Sequence, residues 1–404
     1  MTRGNHFITL NDIELSGKRV LVRVDFNVPI QNGNILDYTR IQAHLPTIKE
    51  ILRGGGKLIL VSHMGRPHEG KFDESCSLLP IATALSTLIG EDVKFISNWS
   101  LINDEKNFKI ILLENVRFQV GEKDNSESLS QEMASMCDIY VNDAFAAAHR
   151  SHASTHGIAK YAPIVCAGPL MVREMKALIT AFKNPSYPLM AIVGGSKVST
   201  KLEVLNSLIA NVDKLIIGGG IANTFMKAAG IKIGMSLCED SLLSTASSIM
   251  KKAKEQGKEI PLPTDVVCGK KASEDAKATI KLVEDIQEDD LILDIGPNTA
   301  KNYADALLNT KTIIWNGPLG VFELDQFSEG TKTVGHAIAK SEAFSVAGGG
   351  DTLSAISKFN ISSGISYITT AGGAFLEFLE GKTLPAISIL EECSLKWKAT
   401  KTED

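Results

Sequence analysis

A chain of 404 residues is too long for one ordinary core and suits two α/β domains near the upper end of normal size. With 44% hydrophobic and 22% charged residues it has an average globular composition; no apolar run approaches the ~20 residues that cross a bilayer, and a net charge of -5 argues against a nucleic-acid partner. The polar amino terminus MTRGNHFITLND lacks an apolar signal region, and the six cysteines (76, 137, 166, 238, 268, 393) never form a CxxC pair, so reduced thiols and a cytoplasmic location are expected.

In the first half, β-branched or leucine-rich runs predict strands at 19–25, 57–62, 93–96, 109–113 and 138–142. Helices over 40–52 and 78–89 fall between them; Ile41, Leu45, Ile48, Ile51 and Leu52 recur at helical spacing. A helix from Arg173 to Phe182, ended by Asn184-Pro185 and Pro188, predicts a joint over 173-187. Beyond it, strands are predicted at 189–193, 214–217, 291–295, 311–315, 344–347 and 366–369. They alternate with helices over 199–210, 242–256, 298–307, 329–340 and 373–380.

Buried strands alternating with helices imply a parallel sheet covered on both faces. The expected fold class is therefore α/β, with two doubly wound parallel-sheet (Rossmann-like) domains, 1-172 and 188-388, joined by a hinge helix. The last residues, KWKATKTED, are polar and should be loosely held unless they dock on a domain.

In open parallel sheets ligands bind beyond the carboxyl ends of the strands, so the residues after each strand carry the information. In the first half these are Asp25-Phe26-Asn27, His63-Met64-Gly65-Arg66, Glu114-Asn115-Val116-Arg117, and Asn142-Asp143 leading to His149-Arg150, with Arg40 opening the first helix. All the arginines (3, 19, 23, 40, 53, 66, 117, 150, 173) lie in the first 173 residues. The guanidinium fork grips carboxylate and phosphate oxygens in pairs, so a small, multiply charged anion such as a phosphorylated carboxylic acid is the natural occupant.

In the second half the same places carry glycine: Val193-Gly194-Gly195-Ser196-Lys197, Ile217-Gly218-Gly219-Gly220, Ile295-Gly296-Pro297, Asn316-Gly317-Pro318, Ala347-Gly348-Gly349-Gly350-Asp351-Thr352 and Thr370-Ala371-Gly372-Gly373. Such turns bring backbone close to a ligand and aim helix N–H groups at phosphate, so a nucleotide across the crest is expected. Two familiar fingerprints fail. Gly65-to-Lys71 matches GxxxxGK, but Phe72 stands where a magnesium-holding hydroxyl belongs, and no crest gives GxGxxG with its distant acid. His149, His152 and His156 lack the further ligands that a zinc site needs.

The segments VRVDFNVP (22–29), SHMGRP (62–67), LLENVRF (112–118), NDAFAAAHRSHAS (142–154), GGSKVSTK (194–201), GGGIANTF (218–225), WNGPLGVFE (315–323) and GGGDT (348–352) together resemble the phosphoglycerate kinase family, in family order, from about residue 8 to 390. The resemblance implies transfer of a phosphoryl group between 1,3-bisphosphoglycerate and ADP, giving 3-phosphoglycerate and ATP, with Mg2+ carried by the nucleotide. It implies that Asp25, Asn27, Arg40, His63, Arg66, Arg117 and Arg150 bind the acid, alongside Phe26, Met64 and Gly65 of the same turns. On the nucleotide side it implies Lys201 at the phosphates, Glu323 at the ribose and Asp351 at the metal. Thr352 and the amide of Gly350 then sit at the phosphates, and Gly218, Gly219, Asn316 and Gly349 line the same turns. Arg40, Lys197 and Lys201 are the implied catalytic cations. Two lobes on a hinge, a carboxyl-terminal segment (389-404) packed back on the first lobe, and a monomer complete the expectation.

Ala146 and Ala371 stand where the family usually has glycine; neither change removes a charge. The missing nucleotide fingerprint disfavours an NAD-dependent dehydrogenase. A non-enzymatic relative would have no reason to keep Arg40, Lys197, Lys201 and Asp351 together.

Overall fold

The computed structural model describes residues 7–105 and 107–401, so the first residues of the amino terminus and 402–404 of the polar tail lie outside it. Contacts divide the chain into two compact units. One ends at Met175 and resumes at Thr383; the other is the contiguous stretch Lys176–Lys382.

The first unit is built on β1 (Arg19–Arg23), the short hairpin β2 (Ile30–Gln31) and β3 (Asn34–Ile35), β4 (Lys57–Val61), β5 (Lys94–Ile96), β6 (Ile110–Leu113), β7 (Ile139–Asn142) and β8 (Ile164–Ala167). Apart from the hairpin, these form a six-stranded parallel sheet in the order β5-β6-β4-β1-β7-β8. The chain leaves β1 toward one edge and later returns to its other side at β7, so the strand order reverses beside β1. That is where a doubly wound sheet opens a ligand crevice at its carboxyl edge.

Helices α1 (Thr39–Arg53), α2 (Leu79–Ile89), α3 (Glu127–Ser135) and α4 (Pro169–Leu178) belong to this half of the chain. α1 forms because Ile41, His44, Thr47, Ile48 and Ile51 share one face, and that face is buried against the sheet's Val20, Val22, Leu58 and Leu60. The expected joint is helical as α4 and continues as a π-helical turn over Ile179–Lys183.

The second unit holds β9 (Leu189–Gly194), β10 (Lys214–Gly218), β11 (Asp265–Gly269), β12 (Thr279–Leu282), β13 (Leu291–Ile295), β14 (Thr312–Asn316), β15 (Phe344–Ala347) and β16 (Tyr367–Ile368). Five of them form a parallel sheet in the order β10-β9-β14-β15-β16. Between strands run α5 (Leu202–Asn211), α6 (Gly219–Ala228), α7 (Leu243–Glu255), α8 (Pro297–Leu307), α9 (Glu329–Lys340), α10 (Gly350–Lys358) and α11 (Gly372–Leu379). Ile192, Ile216, Ile313 and Trp315 of the sheet pack with Val334 and Ile338 of α9 in its core.

One expectation is corrected. The run 291–295 is a strand, but it pairs antiparallel with β11 in a separate three-stranded sheet, β12-β11-β13. An apolar run reads alike in either sheet, because periodicity carries no strand direction. The turn Ile295-Gly296-Pro297 is therefore not a crest of the parallel sheet. Asp265 already occupies the helix amino terminus behind it, accepting from Asn298 N–H at 2.9 Å and Thr299 N–H at 2.7 Å.

The last described element is a helix, Pro385–Lys401, which belongs to the first unit. Trp397 packs against that unit's core, and Cys393 Sγ donates to Ala159 O at 3.3 Å.

Candidate active site

The carboxyl edge of the first sheet collects the arginines. Past Arg23 the chain crosses the edge through the buried Asp25, whose carboxylate accepts from Arg40 Nη1 at 2.9 Å. The same Nη1 reaches Asn27 O at 3.1 Å, so the first turn of α1 and the loop after β1 share one cation. Phe26 is buried with its amide on Ser62 Oγ at 2.8 Å. Asn27 Oδ1 accepts the Gly65 N–H at 2.9 Å, while Arg117 donates to the Gly65 carbonyl. Asn115 holds both the amide and the carbonyl of Met64, at 3.2 and 2.7 Å. Three successive turns are thereby laced together by side chains that the sequence places after β1, β4 and β6. Arg66 is exposed beside them, and Arg150 is half-buried, with Nε donating to His149 Nε2 at 3.2 Å.

The charge balance of this edge is lopsided. Arg23, 1% exposed, donates to Val24 O, to Ser154 Oγ at 2.9 Å and to His63 Nδ1 at 3.1 Å. A donor on Nδ1 leaves the His63 proton on Nε2. Burial, and then the fields of Arg23, Arg117, Arg150 and Arg40, hold the His63 imidazole well below its usual range. Arg117 is pulled down to about 10, first by burial and then by Arg150 and Arg23. Its Nε is buried without a hydrogen-bond partner. Buried Glu122 takes Ser154 Oγ at 2.6 Å and lies 3.6 Å from His152 Nδ1. Guanidinium groups that repel one another at a sheet edge make a cradle for a polyanion.

The second unit opens a cavity of about 560 Å³ whose wall includes Gly195, Gly219, Leu319, Glu323 and Asp351. Glycine is required at Gly194, where an added Cβ would lie 1.7 Å from Pro318 O: the end of β9 and the turn after β14 touch backbone to backbone. It is required again at Gly349, which opens α10 with φ 100°. Lys201 is drawn inward by three oxygens, Gly194 O at 2.7 Å, Asn316 O at 3.1 Å and Asn316 Oδ1 at 2.5 Å. Burial pushes its ammonium down to about 8, partly opposed by Asp351.

Asn316 Nδ2 donates to Gly348 O at 2.7 Å. Thr352 donates to the same oxygen at 2.9 Å and accepts the Gly317 N–H at 2.8 Å, so its hydroxyl braces the turn from within. Gly218 caps α6, and the Gly219 N–H reaches Leu319 O at 3.1 Å. Lys197, Glu323 and Gly350 are exposed, and the space where a Gly350 Cβ would stand is open.

Among the described residues no group of three or more His, Cys, Asp or Glu side chains could hold a metal ion alone, the three histidines 149, 152 and 156 included. Asp351, exposed in the first turn of α10, offers one carboxylate. One carboxylate fits magnesium, which keeps waters and phosphate oxygens in the rest of its shell.

A family model described as phosphoglycerate kinase matches residues 10–382. The chain belongs to the phosphoglycerate kinase family. A phosphoglycerate kinase of Francisella tularensis subsp. novicida is 55% identical over 390 residues, 96% of this chain and 100% of that protein. One from Francisella philomiragia subsp. philomiragia is 55% identical over 386 residues, 96% and 98% of the two chains. The solved phosphoglycerate kinase of Coxiella burnetii matches with a TM-score of 0.92 at 49% identity, covering 96% of this chain and 100% of that one. That of Pyrococcus horikoshii matches at 0.81 and 31%, covering 96% and 99%.

Ala371, expected from the sequence as a departure from the family's glycine, is fully buried with φ -95°, and its N–H is engaged by Thr369 Oγ1 at 3.1 Å. Alanine adopts that conformation without strain. Arg23 belongs to the arginine cluster yet escapes a reading of the turns, because it lies inside β1. Its only sequence signal is a charge within the apolar run RVLVR. His44 and Asp143, buried behind Asp25, give no sequence signal as a pair, since 99 residues separate them.

Proposed function

We propose that this chain catalyses reversible transfer of the acyl phosphoryl group of 1,3-bisphosphoglycerate to ADP, yielding 3-phosphoglycerate and ATP. The observation that carries this reading is the convergence of Arg23, Arg40, Arg117 and Arg150 on His63 at one sheet edge, in a unit separate from the cavity walled by Gly195, Gly219, Glu323 and Asp351. Asp25, Asn27, Arg40, His63, Arg66, Arg117 and Arg150 take the acid, with Phe26, Met64 and Gly65 shaping the turns. Lys201, Gly218, Gly219, Asn316, Gly349, Gly350 and Thr352 form the nucleotide phosphate side, Glu323 meets the ribose and Asp351 the magnesium ion.

In the ATP-consuming direction the nucleophile is a carboxylate, ionised at neutral pH because carboxyl pKa values lie near ~3.5. No general base is needed, and neutral His63 is suited to donate a hydrogen bond rather than to accept a proton. Positioning and charge neutralisation are what remain for the protein to supply. Arg40 and Lys197 steady the phosphoryl group in flight, and Lys201 neutralises the nucleotide oxygens. Magnesium, when bound, spreads the charge of those oxygens. The acid and nucleotide residues belong to different units, so bending at 173-187 must unite them, and the same motion keeps water from the acyl phosphate.

The test is a coupled assay of 3-phosphoglycerate and ATP turnover, with and without EDTA. Turnover of about 10–10³ s⁻¹ is expected, lost on chelation and restored by Mg2+; metal-independent turnover, or none with metal present, refutes the assignment. The chain is expected to elute as a monomer.

Lys201 gives a pH signature. With its free-state pKa near 8, the ammonium is charged below that pH and neutral above it, and a bound phosphate raises the pKa again. The ADP dissociation constant should be flat below pH 8 and rise by up to about tenfold per pH unit above it. Calorimetry on Lys201→Met should show weak, pH-independent binding; an alkaline limb that survives this substitution excludes Lys201 as its source.

A further inference from the structure

We propose that His44 is a positioning residue for the acid-binding turn, setting Asp25 so that its carboxylate meets Arg40; this rests on the function proposed above. Arg40 and His44 stand four residues apart on α1 and so share a face. Arg40 Nη1 takes the Asp25 carboxylate at 2.9 Å, and His44 Nε2 accepts the backbone N–H of the same residue at 2.9 Å. One helix thus holds Asp25 by both its side chain and its amide.

The direction of the second bond follows from chemistry alone. A backbone N–H can only donate, so His44 Nε2 must be bare and the imidazole proton must sit on Nδ1. From there it meets Asp143 Oδ2 at 2.9 Å. Asp143 is held in turn by Thr47 Oγ1 at 2.6 Å and by the amides of Leu170 and Met171 in the first turn of α4, at 2.8 and 3.2 Å. The imidazole is buried and lies edge-on to Phe26, with centroids 5.7 Å apart. It therefore has one available orientation. A histidine that only filled space would not need both ring nitrogens committed, one of them to the turn bearing the acid's ligands.

Two amide substitutions separate the bonds. His44→Gln places an oxygen near the position of Nε2 and keeps an acceptor for the Asp25 N–H. His44→Asn keeps a donor near Nδ1 for Asp143 and leaves that N–H unanswered. The expected result is that the KM for 3-phosphoglycerate stays within about threefold in His44→Gln and rises about tenfold in His44→Asn. The KM for MgATP should stay within about twofold in both, and His44→Gln should melt no higher than His44→Asn. Equal acid KM values in the two variants, or acid and nucleotide KM rising together with lost stability, overturn the assignment.

A second measurement does not depend on turnover. Nitrogen-15 NMR of the whole protein should show His44 as the Nδ1–H tautomer at neutral pH, and the Nε2–H form overturns the proposal. If the unaltered chain turns over neither substrate, the function reading falls with it; if the unaltered chain is active and the two variants do not differ, only the role of His44 falls.

Discussion

Arg40→Ala is expected to lower kcat by about 10³-fold or more while leaving ADP affinity within about twofold, because a cation that meets the phosphoryl group in transit is worth roughly 10³–10⁵ in rate in related transfers. In the free protein this guanidinium rests on the Asp25 carboxylate and the Asn27 carbonyl. Its side chain is 32% exposed, against 5% for Asp25. The arginine therefore has room to move, while the aspartate does not. Removing the arginine also leaves Asp25 without its ion pair, so affinity for the acid should weaken by about tenfold as a lesser effect. Arg40→Lys, which keeps the charge but not the planar fork, should recover part of the acid affinity and little of the turnover. Steady-state kinetics with both substrates, together with calorimetric ADP binding, makes the separation. An Arg40→Ala enzyme with near-normal kcat and only a raised KM would falsify the proposed role.

A pair of glycine substitutions should act in opposite directions on the second unit. Gly194→Ala drives a methyl group into Pro318 O at 1.7 Å and Gly317 C at 2.8 Å, all of it backbone and none of it free to swing aside. Overpacking of this kind costs about 3 kcal/mol or more, enough to lower the melting temperature by roughly 6–12 °C in a unit of this size. Because Gly194 O also holds Lys201, ADP binding should fail with the fold. Gly350→Ala meets nothing within 4 Å and sits at the start of α10, so its melting temperature should hold or rise slightly. Its new methyl group nonetheless stands at the amide proposed to face phosphate, and ADP affinity should fall by about tenfold or more. Calorimetric melting and ADP titration of the two proteins decide the matter. If Gly350→Ala bound ADP normally, the phosphates would have to lie elsewhere.

Much of the parallel architecture is legible because its strands are buried on both faces and read as unbroken apolar runs, as in KLILV of β4 or LMAIVG of β9. What escapes does so for physical reasons. β8 is a four-residue run, IVCA, too short and too small-chained to stand out. β11 and β12 have no long apolar run, and β12 is largely exposed. α6 opens on glycines that disfavour a helix, yet it forms because its residues from Gly220 to Met226 are buried, so packing overrides propensity. The closing helix reads as a polar tail because most of its last turns face solvent, with Trp397 the side chain that anchors them. The arginine turns could be read directly, since they follow strands. The supports behind them could not, because contacts such as Asp143 with His44 and Arg23 with Ser154 join residues far apart in the chain.

The first unit draws on chain from both before and after the second, which is an uninterrupted stretch from Lys176 to Lys382. On the ribosome, all of the second unit's residues emerge before the helix Pro385–Lys401, which must still return to β8 and the Gly157–Lys160 turn. The half that carries the arginines, though most of it is made first, therefore has its full set of contacts only once the rest of the chain has been made.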